Sequence, residues 1–209
     1  MILEKDIIEI EIPDFIVNYA RRIGKKFVQA KTPSQFRHVE DRGDTVNEDA
    51  FVGCMAHYAY LRHMQGPEGM GKLFDAYWVS NHFPEIRQIR KTKLVSDGGS
   101  DILRLNVDVK SSLVRTNLPI IRHRLPVRPH DRRENWVYVL VLITERKKEN
   151  PTLDDAYNYT GHVVGWAKDS DLPNETYDKE QGTAPAEFHG AYLLNADSLH
   201  PFPPFKWEF

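Results

Sequence analysis

The sequence lacks the features that define several common classes of protein. It has one cysteine, Cys54, in 209 residues, which excludes an internal disulfide and a cysteine-rich zinc site. No apolar run approaches the roughly 18 residues that a transmembrane helix needs. The N-terminal segment Met1–Pro13 is acidic and alternating, unlike a signal peptide. We therefore expect a single cytoplasmic domain, residues 1–209, with no membrane partner.

Charge is distributed unevenly along the chain. The formal net charge is only -2, yet Ile86–Arg133 holds twelve Lys/Arg against four Asp/Glu, and Asn150–Phe209 holds three against ten. Contacts of Lys and Arg to phosphate dominate the affinity of proteins for nucleic acid. The basic segment therefore favours a polyanionic partner, and DNA is the expected one, with RNA open as an alternative. The candidate contacts to DNA are Arg115, Arg122, Arg124, Arg128, Arg132 and Arg133.

The first half of the chain has the periodicity of helices. Apolar residues recur at three- and four-residue steps after Pro13, which predicts a helix to about Ala30. Asn47 is a good N-cap for a second helix, to about Met64, with Glu48 at the start of its inward stripe. Gly and Pro residues in Gln65–Gly71 predict a break after that helix.

The second half of the chain has the pattern of strands. Trp136–Thr144 is a nearly continuous β-branched and aromatic run, typical of a central strand covered on both faces. Gly161–Ala167 and Ala191–Leu194 are predicted to be further strands. Three prolines in Leu113–Asn135 disfavour a long helix there, because each would remove a backbone hydrogen bond from it. Helices followed by strands predict a mixed α/β fold with one sheet.

The chemistry is carried by Asp101–Ser111, an alternating stretch that follows an Asp-Gly-Gly-Ser turn. It is predicted to be a strand pair turning near Arg104–Asn106, or one bent strand. Asp108 and Lys110, two apart on a strand, share one face. If the chain doubles back, Asp101 lies beside Asp108, and two adjacent carboxylates are stabilised by a cation such as Mg²⁺. Lys110 could orient or deprotonate a water, or stabilise negative charge on a phosphate.

With the Gly-Gly turn, the Asp-x-Lys strand, the apolar strand at Trp136 and an upstream helix, the sequence resembles the PD-(D/E)XK nuclease superfamily, in a form closest to its phage and Mrr-like branch. The resemblance covers about residues 45–145 and implies a restriction-endonuclease-like core, a central mixed β-sheet flanked by helices. Residues 1–44 would be a helical addition and residues 146–209 a β-rich, acidic one. In the family, the Asp/Glu-x-Lys ends the third core strand and a helix leads to the fourth.

The resemblance also implies roles for single residues. Lys110 would be the catalytic lysine. The implied ligands of Mg²⁺, for which Mn²⁺ would substitute, are Asp101, Asp108, the backbone carbonyl of Val109 and Glu48. Asp97 is the alternative to Asp101. Two features depart from the family pattern, because Asp108 stands where Glu is commoner and the proline-rich segment after Lys110 does not favour the connecting helix.

The expected function is therefore Mg²⁺-dependent hydrolysis of DNA phosphodiester bonds by an endonuclease, leaving 5′ phosphates. A homodimer would suit cleavage of both strands of a duplex. The alternative is a non-catalytic nucleic-acid-binding module on a nuclease-like fold. Plainer interpretations also stand: a surface ion pair for Asp108 and Lys110, a first-turn acid favoured by the helix dipole for Glu48, and a solvated loop for the arginines.

Overall fold

The computed structural model describes residues 2–30, 45–73, 106–115, 118–152, 155–177 and 190–202. Two helices and six strands lie within these ranges. The helices are α1 (Asp14–Ala30) and α2 (Thr45–Leu73). The strands are β1 (Ile8–Ile12), β2 (Val107–Val114), β3 (Arg124–Val127), β4 (Val137–Thr152), β5 (Asp155–Lys168) and β6 (Tyr192–Asn195).

The main sheet has four described strands in the order β1-β5-β4-β2. β2 runs parallel to β4, whereas the β4–β5 and β1–β5 pairs are antiparallel. The predicted mixed α/β fold is therefore confirmed. The prediction of one sheet was wrong, because the short strand β3 pairs with β6 in a separate antiparallel sheet.

Strand β4 forms the centre of the core, and its residues from Tyr138 to Ile143 are almost completely buried. Because side chains alternate across a strand, they fill two separate clusters. Val139, Val141 and Ile143 pack with residues of α1 and α2. Tyr138, Leu140 and Leu142 pack with Leu125 and Val127 of β3. The prediction of a central strand covered on both faces is confirmed, with helices on one face and the small sheet on the other.

The helices differ from the prediction mainly in length. α1 agrees to within a residue, but α2 continues to Leu73, so the break predicted at Gln65–Gly71 was wrong. The buried stretch of α2 ahead of this segment anchors the helix, and extending an existing helix costs far less than starting one. None of the described helices is long and apolar enough to cross a membrane.

Two features outside residues 45–145 complete the main sheet. β1, an alternation of Ile and Glu, was not predicted as a strand and pairs with β5 from Ile8↔Val163 to Ile12↔Tyr159. β5 itself carries Gly161, where an added Cβ would lie 2.5 Å from the Cβ of Ala59. The absent side chain lets α2 approach the sheet closely. The segments that the resemblance treats as additions thus contribute two strands of the main sheet.

Candidate active site

Asp108 and Lys110 lie together at the beginning of β2. Asn106, just before the strand, has a φ of 49°, in the left-handed region that Asn tolerates better than most residues. Its carbonyl accepts a hydrogen bond of 2.9 Å from the backbone N–H of Val137. Of the turn predicted at Arg104–Asn106, only Asn106 lies within the described residues. In the parallel register Asp108 lies beside Tyr138 and Lys110 beside Leu140.

Lys110 lies between two carboxylates. Its Nζ is 2.9 Å from Oδ2 of Asp108 and 2.6 Å from Oδ2 of Asp131. Asp108 is only 7% exposed, so its carboxylate depends on a positively charged neighbour. We call these three residues, Asp108, Lys110 and Asp131, the Lys110 centre.

Asp131 reaches this centre through the turn that follows β3. The N–H of Asp131 donates to the carbonyl of Arg128 at 2.9 Å, which closes the turn. The buried Tyr138 then fixes it to the main sheet: its hydroxyl accepts from the N–H of Arg133 at 2.7 Å and donates to the carbonyl of Asp131 at 3.2 Å. The aspartate is thus held by β4, next to the strand that carries Lys110.

Electrostatics keep Lys110 charged. Burial by itself lowers the pKa of Lys110, but the charges and hydrogen bonds of Asp108 and Asp131 outweigh it and raise the pKa above the ordinary lysine value. Burial raises the pKa of the neighbouring Tyr138. At neutral pH the centre therefore contains an ammonium group that donates hydrogen bonds, and the Tyr138 phenol beside it is neutral.

Two arginines at the same end of β4 have different surroundings. Nε of Arg132 is 2.7 Å from Oδ1 of Asp169, and its guanidinium lies over the ring of Tyr192 at 4.5 Å. Arg133 is exposed, and its guanidinium lies 4.6 Å from the ring centroid of Trp136. Arg132 therefore joins parts of the fold, whereas Arg133 is an exposed residue that follows Asp131 by two positions.

The structure does not bring Glu48 to Asp108. The carboxylate of Glu48 contacts Nη2 of Arg115, and Nε of Arg115 is 3.6 Å from Oε1 of Glu145. Arg115 follows the last residue of β2, about 23 Å along the chain from Asp108 at roughly 3.3 Å per residue. α2 also packs on the face of the sheet that carries the Val109 side chain, which is opposite the face that carries the Asp108 side chain. We call Glu48, Arg115 and Glu145 the Arg115 cluster.

The other predicted site residues are dispersed. Arg122 is exposed in a short turn, and Arg124 and Arg128 are half-buried at the two ends of β3. Asp101 and Asp97 lie outside the described residues. In the part of the chain that the structure describes, no group of three or more His, Cys, Asp or Glu residues is close enough to hold a metal ion.

The arrangement around the Asp-x-Lys pair differs from the family pattern in two ways. The pair begins β2, and four more residues of the strand follow Lys110. From Leu118 to Trp136, the connection to β4 contains β3 and a short 3-10 turn but no α-helix. The parallel pairing of β2 with β4 agrees with a crossover connection between them.

Sequence reasoning missed Asp131. It is the one acidic residue between Lys110 and Arg133, in a segment of seven basic residues including both, and this isolation was a signal in the sequence. Pro129, two residues before it, was a second signal, because proline is common where the chain reverses. Neither signal predicts which strand the turn packs against.

Comparison of the chain with protein-family models, with curated proteins and with solved structures found no match. Assignment of an activity therefore rests on the residues of the site and on their geometry.

Proposed function

We propose that the protein is a Mg²⁺-dependent nuclease that hydrolyses phosphodiester bonds in DNA at the Lys110 centre. The observation that carries the proposal is the contact of the buried Asp108 carboxylate with the charged Lys110, two residues along one strand. This is the residue pair that the PD-(D/E)XK resemblance selects. A restriction-endonuclease-like core is part of the same proposal, supported by the parallel β2–β4 pair in a mixed sheet.

The residues at the start of β2 suit a hard divalent cation. Mg²⁺ is bound in proteins by one or two carboxylates and keeps several waters or phosphate oxygens. Asp108 and the carbonyl of Val109 would hold it, with Asp101 added by the sequence motif. The carboxylates of Asp108 and Asp131 already converge on one positive charge, at 2.9 and 2.6 Å. Bound there, Mg²⁺ or Mn²⁺ would supply Lewis acidity to the phosphate and polarise a water.

Lys110 acts in this proposal as a cation. Because the two carboxylates raise its pKa, the ammonium donates hydrogen bonds and does not accept a proton from water. A fixed ammonium beside the scissile phosphate stabilises the negative charge that develops there during attack. Of the roles expected for a lysine in this position, orienting a water and stabilising charge fit an ammonium group, and deprotonating a water does not.

Contact with the DNA backbone is assigned first to Arg133. Its guanidinium lies over the ring of Trp136, and its backbone N–H donates to the hydroxyl of Tyr138, the residue that pairs with Asp108 in the sheet. Lys and Arg near a cleavage site position the phosphate chain without reading sequence. Arg132 is already held by Asp169 and Tyr192, so its part is to support this segment.

The test is a Mg²⁺- or Mn²⁺-dependent cleavage assay on a panel of DNA and RNA substrates, comparing wild type with Lys110→Ala. We expect the variant to lose on the order of 100- to 1,000-fold in rate, as when one charge-stabilising donor is removed from an active site. Lys147→Ala, which removes an exposed lysine from β4, is the matched control and should cleave normally. Full cleavage by Lys110→Ala would refute the assignment.

A second candidate is a module that binds nucleic acid without cutting it. Two observations favour it. Lys110 is satisfied by two carboxylates, as in a purely structural ion pair, and Glu48 lies with Arg115. Such a module would bind DNA with an affinity that falls steeply with salt, and chelation of metal would change nothing. A folded wild-type protein that leaves every substrate intact would move this candidate to the front.

A further inference from the structure

Asp131 is the member of the Lys110 centre that the nuclease motif does not contain. It is 21 residues from Lys110 in sequence, yet its Oδ2 makes the shorter of the two ammonium contacts, 2.6 against 2.9 Å for Asp108. Its side chain is also more exposed than that of Asp108, 32% against 10%. The two carboxylates therefore differ in position: Asp108 lies inside the centre, and Asp131 holds the lysine from its outer side.

The two expected partners of Asp108 compete for it. An ammonium and a divalent cation bound to the same carboxylate are close enough to repel each other, and the repulsion grows in a partly buried site. Without another anion, Lys110 would either leave the centre when a metal binds or keep the metal out. A second carboxylate that binds the lysine and not the metal removes this conflict. Asp131 can do so, since its Oδ2 contacts Lys110 while its Oδ1 lies 3.5 Å from Nε2 of His130.

We propose that Asp131 is a positioning residue, which holds the Lys110 ammonium at the centre while Asp108 binds the metal ion. The inference rests on the proposed function, since it requires a cation at Asp108. Asp131 makes no direct contact with metal or substrate in this proposal. Asp131 acts only through Lys110. The turn fixed by the Tyr138 hydroxyl supplies the rigidity that such a role needs.

The proposal predicts how Asp131 and Lys110 are coupled. In Asp131→Asn, Lys110 keeps Asp108 as its carboxylate partner and competes with the metal there. Affinity for metal should fall about tenfold or more, the size typical of residues that support metal ligands. In a Lys110→Met background the competitor is gone, so adding Asp131→Asn should change the affinity by less than about threefold.

The experiment is direct titration of the full chain with Mn²⁺, with free Mn²⁺ read by electron paramagnetic resonance. Wild type, Asp131→Asn, Lys110→Met and the double variant form the cycle. Glu134→Gln removes an equal charge from the same segment and should bind like wild type. Asp131→Glu keeps the charge and should retain most of the affinity. Circular dichroism identifies any variant that fails to fold. If Asp131→Asn does not fold, Asp131→Glu is compared with wild type in its place. A roughly tenfold loss of Mn²⁺ affinity in a folded Asp131→Glu variant would by itself contradict the proposal.

The remaining outcomes separate this proposal from the proposed function. Equal weakening by Asp131→Asn in both backgrounds would make Asp131 a direct ligand, and no weakening in either would make it a structural residue; both results overturn the positioning role. If wild type binds no Mn²⁺, both proposals fall. If the expected coupling is found but no substrate is cleaved, the nuclease activity falls and the positioning role of Asp131 stands.

Discussion

The two ends of β2 carry the same arrangement of charges in different surroundings. At the first end Lys110 lies between Asp108 and Asp131, and beyond the last residue Arg115 lies between Glu48 and Glu145. The side chain of Lys110 is 20% exposed, whereas that of Arg115 is 61% exposed. Exposed ion pairs contribute little because water and salt screen them, but a buried charge depends on its partner. Burial therefore favours the Lys110 centre over the Arg115 cluster as the candidate active site.

The largest difference between the two ends is expected in cleavage. Asp108→Asn should lower the rate by about 100- to 1,000-fold, because it removes the charge that would bind the metal. Glu48→Gln should change the rate by less than about threefold, because its carboxylate contacts Arg115 at the other end of the strand. Initial rates on the best DNA substrate, at saturating Mg²⁺, measure both.

A large loss in Glu48→Gln with an unchanged melting temperature would contradict this comparison. It would mean that Glu48 reaches the centre in the complex with DNA, as the family resemblance implies. Glu145→Gln is the control for loss of charge within the Arg115 cluster, since it alters the same arginine from the other side.

A smaller difference is expected in stability. Lys110→Met leaves two close carboxylates without a cation and should lower the free energy of unfolding by about 2 kcal/mol, less than for a fully buried pair because the side chain is partly exposed. Arg115→Met should cost less than about 1 kcal/mol. Urea denaturation with a common m-value measures both, and equal losses would show that burial does not distinguish the two ends.

The pH dependence of the Lys110 contribution has a definite sign. Its folded pKa is raised above the unfolded value, so the contribution is fully present below the unfolded pKa and is lost only as pH rises through the folded one. The difference between wild type and Lys110→Met should therefore stay constant between about pH 6 and pH 9 and shrink above the ordinary lysine pKa. A difference that shrinks near neutral pH would contradict a charged Lys110.

Local patterns in the sequence predicted the elements that carry their own signal. The apolar run at Trp136–Thr144 required a strand covered on both faces, and the spacing of Asp108 and Lys110 placed both on one face of a strand. β1 was not predicted, although its Ile/Glu alternation is the pattern of a half-buried strand. The pattern gives no partner, and the partner β5 lies about 150 residues further along the chain.

The composition of the candidate site depends on pairing between distant segments. Glu48 was assigned to Asp108 because both belong to one family pattern, yet the register of α2 on the sheet places it beside Arg115. Asp131 lies in the centre because β3 pairs with β6 outside the main sheet and the turn after β3 is held by the Tyr138 hydroxyl. Neither placement follows from spacing along the chain, since each is decided by which faces pack together.

The smallest difference between the two ends concerns DNA binding. Arg133→Ala should weaken binding of all DNA sequences by a similar, few-fold factor and reduce the slope of log affinity against log salt by about one, as loss of one phosphate contact does. Arg115→Ala should leave the slope unchanged, because two carboxylates already neutralise that guanidinium. Affinity measured by fluorescence anisotropy over a series of salt concentrations separates them. If Arg115→Ala reduced the slope instead, the DNA backbone would contact the Arg115 cluster, and the proposed active site would lie at the wrong end of β2.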